Sequence, residues 1–247
     1  IKRRRSSIQS TQQITKAMKL VSTVKLQKAR THAENAKAYF RYMYQTISSI
    51  LAQAGTVNHP YVQGTNSKKI GIVVVTSNRG LAGGYNANIV RMIANGTFEK
   101  EQVRLYTVGK KGADGLARRR YEIVADYSDA IEEPKYQDAK VVSERLLQDF
   151  ADGEIGEIYL AYTEFKNTVS QIPKMIKLLP VEAEEQEVDN LTLMNFEPSE
   201  EEVIERLVPQ YMTSILYGAF VEALASENGA RMQAMDAATN NAEEIIN

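Results

Sequence analysis

The stretch LQKARTHAENAKAYFRYMYQTISSILAQA, residues 26–54, decides the architecture of this chain. Apolar or small residues recur along it in alternating steps of three and four: Leu26, Ala29, Ala33, Ala36, Phe40, Met43, Ile47, Ile50 and Ala54. This spacing is typical of a coiled-coil seam, in which each such residue packs between residues of a facing helix. The sequence therefore predicts a helix that needs a partner helix along its length.

The same helix is predicted to begin at the start of the chain. Residues 1–54 contain neither glycine nor proline, which favours one uninterrupted helix of about 80 Å. In its first half the apolar residues keep helical spacing but shift in phase before Leu26: Ile8, Ile14, Met18, Val21 and Val24. We expect these residues also to form an apolar face for a partner helix.

The C-terminal part of the chain supplies that partner. Ser199 to Glu202 has the pattern of a capping box that opens a helix. Pro209 either kinks this helix or begins a second one at its first turn. Beyond it, apolar and small residues again recur mostly at three and four: Tyr211, Ile215, Gly218, Val221, Ala225, Met232, Met235, Ala238, Ala242 and Ile246. Two long helices therefore enclose the middle of the chain.

The middle of the chain alternates strand and helix patterns, which indicates an α/β domain with a mostly parallel, Rossmann-like sheet of about five strands. The strands are expected over residues 69–76, 103–108, 122–125, 157–165 and 169–179, and the helices over 85–94, 112–119 and 137–152. The predicted division is a coiled-coil shaft of residues 1–54 and 199–247, an α/β domain of residues 69–181, and connecting segments 55–68 and 182–198.

The glycine-rich turn TSNRGLAGGYN, residues 76–86, follows the first predicted strand as a nucleotide-binding loop would. A dinucleotide fingerprint requires G-x-G-x-x-G, but Ala82 stands where the second glycine is needed. A P-loop requires lysine after its last glycine, and here Tyr85 follows Gly84. We therefore interpret the turn as a strand-to-helix connection that uses glycine for positive φ and close packing.

Composition excludes several classes of site. The absence of cysteine excludes a disulfide scaffold, a cysteine-based zinc site and a thiol nucleophile. His32 and His59 are isolated and lack metal-ligand spacing, so neither a metal nor another cofactor is expected. No apolar run approaches the roughly 20 residues of a membrane-spanning helix.

Charge is distributed unevenly although the net charge is only −1. Residues 1–33 carry nine lysines and arginines and no acidic residue, whereas residues 182–205 carry ten acidic residues and no basic one. Such asymmetry indicates charged partners at separate places. A basic helix that leads into a coiled-coil seam is also compatible with nucleic-acid binding. A dinucleotide-binding enzyme is a further alternative, although no catalytic constellation accompanies the glycine turn.

Three stretches carry a resemblance to a known family: the basic opening IKRRRSSIQSTQQITKAMKLVSTVKLQKAR, the turn TSNRGLAGGYN, and LASENGARMQAMDAATNNAEEII at residues 224–246. They resemble the gamma subunit of the rotary F-type ATP synthase, in its bacterial form. The first is similar to the family's basic start with its T-K-A-M segment, and the third to its C-terminal signature. The second resembles the family's S-D-R-G-L-C/A-G loop, with Asn78 in place of the aspartate.

This resemblance implies that the chain is a non-catalytic subunit of an enzyme complex. Its terminal helices would wind into an antiparallel coiled coil inside a ring of alpha and beta subunits. The α/β domain would hold the epsilon subunit and dock on the membrane-embedded c ring, whose ion-driven rotation would turn the chain. It would thus be a peripheral protein at the cytoplasmic face of a bacterial cell membrane, with no nucleic acid among its partners.

The resemblance also implies the contact residues. Those expected against the alpha–beta ring are Arg4, Arg5, Lys16, Met18, Lys19 and Arg231. Those expected toward the c ring and epsilon are Phe196, Glu197 and Pro198. Met18, which is unbranched and adaptable, is expected at the bearing between the helix and the acidic lower ends of the beta subunits.

Overall fold

Two long antiparallel helices frame the molecule in a computed structural model that describes residues 2–54, 58–182 and 199–246. Helix α1 spans Lys2–Ala54 and helix α6 spans Glu200–Ile246. Thr15 lies against Thr239 and Lys19 against Asp236, so the numbering rises along one helix as it falls along the other. The predicted antiparallel coiled coil is confirmed.

Between these helices the described residues form one five-stranded sheet with the order β3-β2-β1-β4-β5. The strands are β1 (Ile70–Val75), β2 (Val103–Val108), β3 (Glu122–Asp126), β4 (Glu157–Phe165) and β5 (Gln171–Leu179). The first four are parallel, and β5 returns antiparallel along β4. The α/β fold class predicted from the alternating pattern is therefore correct.

Both faces of the sheet are covered, because alternate side chains of a strand point to opposite faces. Ile72 and Val74 of β1 pack beneath α3 (Tyr85–Ala94), and α4 (Lys110–Ala117) adds Leu116 to that face. Val73 and Val75 face α5 (Tyr136–Ala151) and α6. Burial on both faces explains why β1 is a continuous run of apolar residues.

The chain enters the sheet through a short helix, α2 (Pro60–Gln63), which begins at its N-cap His59. Single 3-10 turns precede β2 and follow β3, at Lys100–Gln102 and Ser128–Ile131. Tyr61 of α2 and Ile131 of the second turn pack in the core cluster shared by the sheet and α6, which also contains Ile47 and Ile50 of α1.

Helix α6 continues through Pro209 without interruption. The proline therefore does not begin a second helix. Ser199 caps the helix, its hydroxyl accepting a hydrogen bond from the Glu202 amide at 3.2 Å. Residues 211–229 of α6 are buried almost throughout, because α1 lies on one side of the helix and the sheet on another.

Candidate interaction surface

The first half of α1 presents apolar side chains to solvent rather than to its partner helix. Ile14 is 59% exposed, Val21 56% and Val24 68%, and Leu20 lies beside them. The expectation that Ile14, Val21 and Val24 form a seam with the C-terminal helix is therefore wrong. We call these four residues the outer face of α1: Ile14, Leu20, Val21 and Val24.

Small polar residues form the seam in this part of the coiled coil. Thr15 and Ser22 are buried against α6, and the hydroxyl oxygens of Thr15 and Thr239 lie 2.7 Å apart in a buried hydrogen bond. Counting backward from Leu26 in steps of four, three and four reaches Ser22, Lys19 and Thr15, so the seam keeps one phase throughout. The short side chains allow close helix approach and leave the larger apolar residues on the outside.

Basic side chains flank the outer face. Arg4, Arg5 and Lys16 are exposed, and among the described residues none has a carboxylate within ion-pair distance. Lys19 differs, because its ammonium group contacts Asp236 on α6 at 2.5 Å. Met18 is half-buried at the border between the seam and the outer face. The surface is thus both apolar and positive, which suits a partner that offers apolar and acidic groups.

Arg231 lies inside the molecule, with only 9% of its surface exposed. Its guanidinium group forms an ion pair with Glu227 one helical turn away at 2.7 Å and donates a hydrogen bond to the Gly80 carbonyl oxygen at 3.2 Å. Burial raises the pKa of Glu227 above its ordinary value, and the adjacent arginine only partly offsets this. In this structure Arg231 therefore joins α6 to the glycine turn.

The glycine turn is built as a connector between elements. Asn78 donates to the Ser128 carbonyl at 2.8 Å and accepts from the Lys110 amide at 3.0 Å. Asn86 accepts from the Ser77 amide at 2.9 Å. Within the same turn Leu81 is exposed and has a φ of 62°, a conformation that leucine rarely adopts.

Helix α6 also occupies the crevice in which open α/β sheets bind nucleotides, outside the carboxyl ends of the strands where the strand order reverses. Here that point lies between β1 and β4. Tyr85 donates to the Ala223 carbonyl at 3.1 Å, and Ser226 donates to the Thr163 carbonyl at 3.0 Å. Complete burial raises the pKa of Tyr85 well above its ordinary value. The chain's own helix therefore packs across this crevice.

Other predictions fall elsewhere or find no site. Phe196, Glu197 and Pro198 lie outside the described residues. Within the described part of the chain, no group of three or more acidic or histidine side chains could hold a metal ion. No described helix is both long enough and apolar enough to cross a membrane.

Comparison with known proteins assigns the chain to one family. The family model described as ATP synthase matches residues 1–247. The ATP synthase gamma chain of Lachnoclostridium phytofermentans is 55% identical, over the whole of this chain and 88% of the relative. The chain belongs to the gamma-chain family of ATP synthase. It is therefore a non-catalytic subunit of that complex, as its resemblance to the family implied.

Further relatives place this gamma chain in the central stalk. The gamma chain of Acetobacterium woodii, named as sodium ion specific, is 38% identical over the whole of this chain and 88% of its own length. The central stalk and c ring of the Tetrahymena thermophila mitochondrial ATP synthase contain a chain with 26% identity and a TM-score of 0.68. That similarity covers 91% of this chain and 99% of the other. Family membership decides against both alternatives, the nucleic-acid-binding coiled coil and the dinucleotide-binding enzyme.

Proposed function

We propose that the outer face of α1, with the basic residues beside it, is the surface along which this central-stalk subunit turns inside a ring of alpha and beta subunits. The observation that carries the proposal is the orientation of Ile14, Val21 and Val24, which are exposed although a partner helix lies on the other side of α1. Contiguous exposed apolar residues with a polar rim mark protein interaction sites.

A shaft of this kind must present different surfaces to the catalytic sites around it. One chain at the centre of a ring of equivalent sites meets this condition, because each site contacts a different side of the coiled coil. Coupling then follows from differential contact, since a shaft that contacted all sites equally would shift no equilibrium between them.

The positive charges support rotation best when they attract without forming close pairs. Arg4, Arg5 and Lys16 are exposed and have no partner among the described residues, so they attract acidic groups over about a Debye length, 8–10 Å. An exposed ion pair contributes about 0–1 kcal/mol, but a shielded pair contributes up to about 4 kcal/mol and would have to break at each step. Diffuse attraction therefore favours assembly without stopping rotation.

We assign the contact roles accordingly. The residues proposed to meet the alpha–beta ring are Arg4, Arg5, Lys16, Met18 and Lys19. Arg231, predicted with them, is buried and bonded to Gly80 in the free chain, so its contact with the ring stays a prediction. The segment Phe196, Glu197 and Pro198 is proposed to contact the c ring and the epsilon subunit, which places the chain at the cytoplasmic face of a bacterial cell membrane as a peripheral component.

Reconstitution tests the proposed function directly. The chain is mixed with alpha and beta subunits, and the mass and composition of the complex are measured. One copy of the chain per ring is expected, together with rotation during ATP hydrolysis. A chain that does not associate, or that binds at several copies per ring, would refute the assignment.

A further inference from the structure

Four polar bonds join α6 to the α/β domain within one short stretch, counted among the described residues. Two of them are the Tyr85 and Ser226 bonds already described, which end at Ala223 and Thr163. The others run from Arg231 to the Gly80 carbonyl and from the Gln233 side-chain amide to the Thr168 carbonyl. We call this set the clamp: Tyr85–Ala223, Ser226–Thr163, Arg231–Gly80 and Gln233–Thr168.

The clamp reaches four separate parts of the domain. Gly80 belongs to the turn after β1, Tyr85 to the start of α3, Thr163 to β4, and Thr168 to the turn between β4 and β5. All four bonds lie between residues 223 and 233 of α6, a length of about 15 Å. The domain therefore holds α6 at one level of the shaft, next to the apolar part of the seam in which Leu26 packs with Ala225.

The clamp also acts on two flanks of the helix. Successive residues of an α-helix are rotated by about 100°, so Arg231 and Gln233 project about 200° apart. Their acceptors lie in different turns of the domain. Bonds on opposite flanks resist rotation of α6 about its own axis, whereas a single row of contacts would act as a hinge.

Directional bonds are needed for this purpose because apolar packing is non-directional. The contacts between α6 and the sheet are otherwise mostly apolar, such as those of Leu216 and Phe220 in the shared core. Hydrogen bonds weaken steeply when their angle is distorted, so they oppose small rotations that a smooth apolar surface tolerates. Charge-assisted bonds such as that of Arg231 are the strongest of this kind.

We propose that Arg231 and Gln233 are positioning residues that fix α6 against rotation relative to the α/β domain. The clamp then carries torque from the domain into the coiled coil. This inference rests on the proposed function as a rotating shaft. It adds the site at which torque passes from the α/β domain to the coiled coil.

The experiment measures torsional stiffness in the complete catalytic complex. Because the chain contains no cysteine, a single one is introduced at the exposed Lys140 on α5 and coupled to a bead. Rotation is stopped with a non-hydrolysable nucleotide, and the angular variance of the bead is recorded. The double variant Arg231→Met/Gln233→Met is expected to increase this variance roughly twofold, because two of four parallel bonds are lost.

Arg104→Met is the matched control. Arg104 pairs with Glu122 and Glu154, away from α6, so its loss is expected to leave the variance unchanged. Arg231→Lys, which keeps a charged donor, should restore part of the stiffness. Unchanged variance in the double variant, or an equal increase in the control, would overturn the proposal.

Hydrogen exchange in the isolated chain provides the second measurement. Amides of residues 79–84 should exchange about tenfold faster in Arg231→Met, which corresponds to about 1.4 kcal/mol. Those of residues 166–170 should do the same in Gln233→Met. If the double variant fails to assemble, the exchange rates of the single variants test the proposal. Unchanged exchange rates would then show that the bonds of Arg231 and Gln233 do not hold these segments. Failure of the unmodified chain to assemble would instead refute the proposed function.

Discussion

Replacing two outer-face valines tests whether this surface binds the ring. In the double variant Val21→Thr/Val24→Thr, each side chain keeps its β-branched shape, so helix geometry is preserved. Both positions are largely exposed, so the free energy of unfolding should change by no more than about 0.5 kcal/mol. The variant therefore changes the polarity of the surface and leaves the coiled coil intact.

The expected loss of affinity follows from exposure. Full burial of a valine side chain contributes at least about 1.5 kcal/mol. Val21 is 56% exposed and Val24 is 68% exposed, so about 1 kcal/mol remains available at each position when a partner covers it. The double variant should lose about 2 kcal/mol, which is about a 30-fold increase in the dissociation constant.

A fluorescence titration measures that change. A single cysteine at Lys140 carries the label, and alpha and beta subunits are added at constant nucleotide concentration. Leu26→Ala serves as the comparison, because Leu26 is buried in the seam and its truncation should destabilise the chain by about 2–5 kcal/mol. Unchanged affinity of the valine variant, or a loss of thermal stability as large as that of Leu26→Ala, would refute the reasoning.

Three further predictions concern single residues. Met18→Lys should weaken coupling, because the added charge forms a close pair that resists rotation. The measurement is the number of ions pumped per ATP hydrolysed in reconstituted vesicles, which should fall; an unchanged number would count against a role of Met18 at the contact with the beta subunits. Asn78→Asp should destabilise the chain by about 1–3 kcal/mol in urea unfolding, because it removes the donor to Ser128 and faces Glu132; an unchanged unfolding midpoint would contradict this role. Glu227→Gln tests pH dependence. Burial raises the folded-state pKa of Glu227 above 4.5, so folding favours the protonated carboxyl. The wild type should therefore lose stability relative to the variant as pH rises from 4.5 through the folded-state pKa. Parallel stability curves for the two proteins would argue against it.

Periodicity predicted the framework of the molecule because burial leaves a clear pattern in it. The strand expected over residues 69–76 is observed at Ile70–Val75. The predicted seam residues Leu26, Ala29, Ala33, Ile47 and Ile50 are buried. Both are regions in which the buried residues are also the apolar ones. Hydrophobic spacing is informative under that condition.

The first half of α1 fails that condition. Its buried residues are Thr15 and Ser22, which hydropathy does not mark, while Ile14, Leu20, Val21 and Val24 are exposed to solvent. The sequence did contain the relevant signal, since Val24 and Leu26 are only two positions apart and cannot share one seam. A phase shift of this kind indicates a second interaction surface.

The role of Arg231 illustrates a different limit. Its partner Gly80 is 151 residues away, and the acceptor is a backbone carbonyl that any residue would provide. No local pattern connects the two positions, so only the folded chain brings them together. The same holds for Gln233 and Thr168, which are 65 residues apart.

The occupied crevice of the sheet has a consequence for the chemistry of the complex. Since α6 belongs to the same chain, its effective concentration at that crevice is at least of order millimolar and does not depend on metabolism. A nucleotide bound at these strand ends would compete with residues 223–226 of α6 for their bonds to Tyr85 and Thr163. The domain thus seats a helix of its own chain in the place where related sheets seat a nucleotide.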